Sequence, residues 1–146
     1  MIKVEYPKHN FKIKEYGGKE VIFDEIRKLW VKLTPEEWVR QNFMQYLIQH
    51  KNYPASLMAV EKEIRVGERR KRCDIVVYQN SKPWMIIECK EMNVPLSENV
   101  LRQAITYNIP MEVDFVVITN GSQTIAWKLK SGEALLCADI PDLRNG

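Results

Sequence analysis

A chain of 146 residues, 45% hydrophobic and 28% charged, can bury one core of ordinary size and has the composition of a soluble globular protein. No apolar run approaches the ~20 residues that cross a bilayer, and the opening stretch MIKVEYPKHNFKIKEYGG lacks a signal-peptide core, so no membrane partner and a cytoplasmic location are expected. The net charge of +3 is too mild to imply nucleic acid by itself. Cys73, Cys89 and Cys137 are odd in number and have no C-x-x-C spacing, which reads as buried reduced thiols. With only His9 and His50 beside them a zinc site is poorly supported. A metal here would be held by carboxylate oxygens, which favours Mg²⁺ or Mn²⁺.

In chain order, residues 1–18 read as a short strand or arm ending at Gly17-Gly18, and 19–30 as a strand or short helix. Thr34-Pro35 opens a helix to about His50. Thr34 suits the N-cap, Pro35 the first helical position, and Glu37 completes a capping box. Its apolar stripe is Val39, Phe43, Tyr46 and Leu47. Residues 57–66 follow as a strand, then a basic turn around Gly67. Within RVGERRKR, Arg69, Arg70, Lys71 and Arg72 stand just before Asp74. A solvated loop explains such a run, and so does a polyanionic ligand whose phosphates are drawn toward nearby carboxylates. Strands are read at 72–78 and 84–90, with a turn over Gln79–Pro83 between them. Leu96–Asn108 has helical spacing, with Ser97 as N-cap and Pro110 as the stop. Phe115–Thr119 fits a buried central strand, and 123–129 a last strand. There are no repeats or linkers, so one domain is expected over 1–146, with its core at about 30–130. The order predicts a mixed β-sheet with helices packed against it, an α/β (α+β) fold.

The chemistry concentrates on the hairpin from Arg72 to Lys90. If Tyr78 pairs with Trp84, Asp74 falls opposite Glu88, at a Cβ separation of about 4.5–5.5 Å. Lys90, two residues past Glu88, projects from the same face. Two carboxylates so placed repel, and a divalent cation resolves the repulsion. Charges at the end of the apolar runs Ile75-Val76-Val77 and Met85-Ile86-Ile87 demand some such explanation. The alternative is an edge-strand salt bridge.

Arg72-Cys73-Asp74-Ile75-Val76-Val77-Tyr78 followed by Ile86-Ile87-Glu88-Cys89-Lys90 resembles the PD-(D/E)-x-K nuclease superfamily. Thr34–Gln41, Leu101-Arg102-Gln103-Ala104, Tyr107-Asn108 and Thr119-Asn120-Gly121 narrow the resemblance to the N-terminal nuclease domain of type I restriction enzyme R subunits. It implies a restriction-endonuclease-like core and a Mg²⁺-dependent (or Mn²⁺-dependent) DNA endonuclease. Asp74 and Glu88 would be metal ligands, helped by the Cys89 carbonyl, and Lys90 would orient or activate the water. Gln103 and Tyr107 match a Gln-x-x-x-Tyr pattern and share a helix face, where they would position Lys90 or the DNA backbone; a plain polar face with a half-buried Tyr is the alternative. Glu36 competes with Glu37 for an outer metal ligand. Glu36 is favoured because it shares the stripe of Arg40, Phe43 and Leu47, while Glu37 suits the cap. Arg40 would pair with Glu36 or meet a phosphate. Arg69, Arg70, Lys71 and Arg72 would contact DNA.

The partners implied are DNA and the helicase/translocase and methyltransferase/specificity subunits of a restriction system. The sequence has no Walker motif for a motor of its own. A non-catalytic DNA-binding or assembly module, or a junction-resolving or repair nuclease, stays open as an alternative. The oligomeric state is not legible. Trp30, Trp38, Trp84 and Trp127 are read as packing, without a function.

Overall fold

In the computed structural model, residues 1–143 are described. A three-stranded antiparallel meander comes first, β1 (Ile13–Tyr16), β2 (Lys19–Asp24) and β3 (Leu29–Lys32), followed by helix α1 (Pro35–Gln49). A six-stranded sheet then runs in the order β4 (Met58–Val66), β5 (Arg69–Gln79), β6 (Lys82–Cys89), β7 (Phe115–Thr119), β8 (Thr124–Lys130) and β9 (Glu133–Leu136). Helix α2 (Glu98–Asn108) crosses from β6 to β7, the one parallel pair of this otherwise antiparallel sheet. A parallel pair needs such a crossover. The fold is thus a mixed α/β sheet with helices packed on it, as the order of elements predicts.

Both helix starts obey their caps. Thr34 Oγ1 accepts from the Glu37 N–H at 3.0 Å, and Ser97 Oγ from the Val100 N–H at 3.3 Å. Only half of the predicted capping box forms, because the Glu37 carboxylate turns into a buried ion network. Every residue of α1 from Val39 to Leu47 is buried. One side packs Val39, Phe43 and Leu47 against Ile75, Ile87 and Val117 of the sheet. Another reaches the meander, where Gln41 Nε2 donates to Asp24 Oδ2 at 2.9 Å. Helix α2 lies on the other cluster with Val76, Ile86, Val116 and Ile118, and among its own residues only Ala104 and Asn108 are buried.

The structure corrects several local expectations. Residues 19–30, read as a strand or short helix, hold strand β2 and the start of β3, and β9 was not foreseen. The basic turn is only Gly67-Glu68: Arg69, Arg70 and Lys71 already lie in β5, which starts three residues before the expected Arg72. The β5–β6 turn is likewise two residues, Asn80 and Ser81, both at positive φ (54° and 63°), the backbone a tight primed hairpin turn needs. Tyr78 pairs with Pro83 rather than Trp84, and the register then shifts between Val77 and Tyr78. That shift brings the ladder back to Val77↔Met85, Val76↔Ile86 and Ile75↔Ile87. One step beyond its last pair stand Asp74 and Glu88.

Candidate active site

Asp74 sits where β5 changes its face. Cys73 and Ile75 are two residues apart yet pack in different clusters, and so do Val60 and Ile64 of β4. Strict alternation would keep each pair on one side. The reversal falls at Asp74 and at its neighbour Glu61, which has φ 50°. From this kink Asp74 reaches both sides of the sheet. Its Oδ1 accepts from Arg40 Nη1 at 3.2 Å, and its Oδ2 from the Cys89 N–H at 2.8 Å. It also lines a cavity of about 430 Å³ with Glu36, Lys71, Arg72, Glu88, Cys89, Lys90, Gln103 and Tyr107. Every sequence-predicted metal or catalytic residue borders this one hollow.

The two acids are answered by different cations. Glu88 Oε1 takes an ion pair from Lys71 Nζ and a hydrogen bond from Asn108 Nδ2 at 2.9 Å. Arg40 is 5% exposed and binds Glu37 through Nε and Nη2, both at 2.8 Å, besides Glu61 and Asp74 at 3.2 Å each. It therefore pairs with Glu37 and not with Glu36 as expected from the sequence. As placed, it is a counter-ion beneath Asp74 rather than an arm toward solvent. Lys90 bears the third charge, and among the described residues its ammonium has no ion-pair or hydrogen-bond partner.

Electrostatics link the groups across the cavity. Burial pushes the Asp74 carboxyl above the usual range; the Cys89 N–H and Arg40 oppose this, while the Glu88 charge adds to it. Glu36 is raised by burial and then by the charge of Asp74. The Cys89 thiol is held well above its ordinary value by burial and cannot act as a thiolate, and burial pushes the Cys73 thiol up to about 11. With the thiols excluded, the acidic side chains lining the cavity are the three carboxylates of Glu36, Asp74 and Glu88, oxygen donors of the kind that suits Mg²⁺ or Mn²⁺ rather than zinc. As the side chains stand, Arg40 and Lys71 answer the acids, and among the described residues no three His, Cys, Asp or Glu are grouped to hold an ion.

The remaining predicted residues divide. Gln103 and Tyr107 lie on the α2 rim of the cavity, Tyr107 62% exposed. Arg69 and Arg70 are outside the main hollow and border a shallower one with Lys71 and Tyr107. Arg72 lines the main cavity but binds Glu61 at 3.1 Å. Three supports were given no role by sequence reasoning, although Asn108 and the Thr119-Asn120-Gly121 turn carry part of the resemblance. Asn108 is fully buried and also donates to the Ala104 carbonyl at 2.7 Å, which fixes the donor it offers Glu88; its Oδ1 has no hydrogen-bond partner among the described residues. The signal was its place one turn past Ala104, on the face α2 turns to the sheet. Glu61, which binds Arg27, Arg40 and Arg72, had no motif to mark it.

The third support is the Thr119-Asn120-Gly121 turn. The Lys90 N–H donates to the Thr119 carbonyl at 2.8 Å, and Asn120 Nδ2 to the Val94 carbonyl at 2.8 Å. Together they fix both ends of the segment after Lys90. Gly121 sits at φ 93°, and a Cβ there would stand 3.0 Å from the Tyr6 hydroxyl, so only glycine fits.

Residues 35–141 match the family described as the type I restriction enzyme R protein N terminus (HSDR_N), and the chain belongs to it. The match leaves the β1–β3 meander outside. No curated protein and no solved structure matches the chain.

Proposed function

Within this family of R-protein N termini, we propose that the chain is a Mg²⁺-dependent endonuclease domain of the PD-(D/E)-x-K type that hydrolyses DNA phosphodiesters. The observation that carries the reading is that the Lys90 ammonium, without an ion-pair partner among the described residues, lines one solvent-open cavity with Asp74, Glu88 and Glu36. Asp74, Glu88 and the Cys89 carbonyl are the inner ligands for Mg²⁺ or Mn²⁺, with Glu36 outermost. A cation held there supplies Lewis acidity at the phosphoryl oxygen and stabilises charge on the leaving oxygen.

The protein groups do the rest. Lys90 donates to a water and turns its lone pair toward phosphorus. The water oxygen bonds to phosphorus as the opposite P–O3′ bond breaks; the water releases a proton to solvent and the 3′ oxygen takes one up. Asn108 holds the Glu88 carboxylate while Lys71 exchanges it for a phosphate. Arg40 opposes the upward push of burial on the Asp74 carboxyl and fixes it from below. Gln103 and Tyr107 guide the backbone of the duplex along the α2 rim, and Arg69 and Arg70 extend the attraction for phosphates. Helicase/translocase and methyltransferase/specificity subunits are the partners consistent with the family.

A second reading has one observation in its favour: both acids are already ion-paired, as a non-catalytic DNA-binding or assembly module would keep them. Nicking of a supercoiled plasmid with Mg²⁺ or Mn²⁺ separates the two. The nuclease reading expects cutting that chelator stops and that Asp74→Ala and Lys90→Ala reduce at least a hundredfold. Equal cutting by all three proteins, or none by the wild type on duplex, single-stranded or branched DNA, leaves the binding module.

A further inference from the structure

The meander divides its residues by chemistry. Its register pairs Lys14 with Val21, Tyr16 with Lys19, Val21 with Lys32 and Phe23 with Trp30. Paired residues share a face and alternate residues return to it. One face therefore carries Lys14, Tyr16, Lys19, Val21, Phe23, Trp30 and Lys32. The other carries Ile13, Glu15, Glu20, Ile22, Asp24, Leu29 and Val31, and here Ile22 and Asp24 are fully buried. Every strand carboxylate is on the inner face. The outer face holds four lysines when Lys12 is included, whose Nζ lies 5.6 Å from the centre of the Phe23 ring.

Three aromatic rings stand among those cations. Trp30 and Phe23 meet edge to face at 5.4 Å, Trp30 remains 38% exposed and Tyr16 73%. The Lys14 Nζ sits 4.2 Å from the Trp30 ring centre, and none of Lys12, Lys14, Lys19 or Lys32 has a carboxylate partner among the described residues. An aromatic pair that served only packing would be buried, and a sheet face kept only for solubility would mix its charge signs. Exposed rings between unpaired cations are instead the chemistry of a platform on which bases stack while lysines track the phosphates. A paired duplex hides its base faces, so the rings select an unpaired strand.

We propose that the outer face of the β1–β3 meander binds single-stranded DNA by stacking bases on Trp30, Phe23 and Tyr16 between Lys12, Lys14, Lys19 and Lys32. A base displaces Lys14 from the indole, since stacking on a ring outweighs an exposed cation–π contact. The surface is separate from the cavity at Asp74 and works without cleavage. The two are joined through side chains: Asp24 binds Arg27 at 2.7 Å, Arg27 binds Glu37 at 3.1 Å, and Glu37 binds Arg40 beneath Asp74.

The test is fluorescence anisotropy of a labelled oligothymidylate with the full chain in chelator, where no cutting interferes. Binding that exceeds that of a hairpin duplex of equal charge, weakens steeply with salt, and falls about tenfold in Trp30→Ala and in Lys14→Ala/Lys32→Ala is the expected result. Tyr16→Ala, at an exposed position, repeats the test without disturbing Trp30 packing and should lose several-fold. Equal affinity for duplex and single strand, or unchanged affinity in both Tyr16→Ala and the double lysine variant, overturns the proposal. Neither result bears on plasmid nicking, so the two readings fail separately.

Discussion

The two faces of the six-stranded sheet treat charge in opposite ways. On the α1 side, Arg40, Glu37, Asp24 and Gln41 are almost wholly buried, and each is matched by a partner. On the α2 side, Glu88 and Lys90 are only part-buried, Gln103 and Tyr107 are open to solvent, and among the described residues the Lys90 ammonium has no ion-pair or hydrogen-bond partner. Buried charges that are fully matched hold their geometry, and breaking one is costly because its partner is left unpaired in a dry place. Part-exposed charges around a hollow are free to exchange partners. The α1 side is thus a frame, the α2 side is the working surface of the proposed function, and Asp74, at the kink in β5, belongs to both.

Substitutions should separate the faces. The largest effect is expected for Arg40→Ala, which leaves the buried Glu37 with only Arg27 and Gln41 and takes the guanidinium from Asp74 and Glu61 as well. Urea unfolding should show a loss of about 3–5 kcal/mol, and an effect below about 1 kcal/mol would mean that the frame is not built on this residue. Next is Lys90→Ala, with nicking down at least a hundredfold and little change in the urea midpoint. A large stability loss there would blur the distinction between the faces. Asn108→Leu should leave Glu88 without its neutral donor and lower nicking on the order of tenfold, in the range typical of residues that orient a ligand. Unchanged nicking would make Asn108 a packing residue.

The smallest effect concerns pH. Burial alone would raise the Asp24 carboxyl. The backbone and side-chain donors of Arg27 and the amide of Gln41, together with the Arg27 charge, instead hold it below its ordinary range. A carboxyl depressed on folding stabilises above its unfolded value of about 3.9, and that contribution is lost as pH falls through the folded value. The wild type should therefore lose stability as pH falls below about 4 more steeply than Asp24→Asn, as urea midpoints between pH 3 and 6 would show. Parallel curves would remove Asp24 from the acid response.

What the sequence disclosed follows the same division. Helix α1 could be placed from Thr34-Pro35 and its stripe, and the β5–β6 hairpin from two apolar runs around a turn, because these signals are local. The approach of Asp74 to Glu88 was also legible, although through a mispaired Tyr78 that the shift beside Val77 corrected. The frame was not legible, since Arg40 draws its partners from Glu37, Glu61 and Asp74, brought together only by folding. The meander escaped for a different reason. Its strands alternate lysine with aromatic and apolar residues and bury little beyond Ile22 and Asp24, so no strong hydrophobic period marks them. Arg69–Lys71 read as a turn by charge alone but are held in β5 by their ladder to Ile64, Arg65 and Val66.

If Asp74 and Glu88 form an oxygen site for a divalent cation, as proposed, the ion must draw them away from Arg40 and Lys71. Titration calorimetry with Mn²⁺ tests this directly on the wild type, Asp74→Ala and Glu88→Ala, with folding of each checked by circular dichroism. Saturable binding by the wild type that weakens at least tenfold in both variants is the predicted result. No binding by the wild type, or equal binding by all three folded proteins, would contradict it and leave the two acids as the ends of two salt bridges.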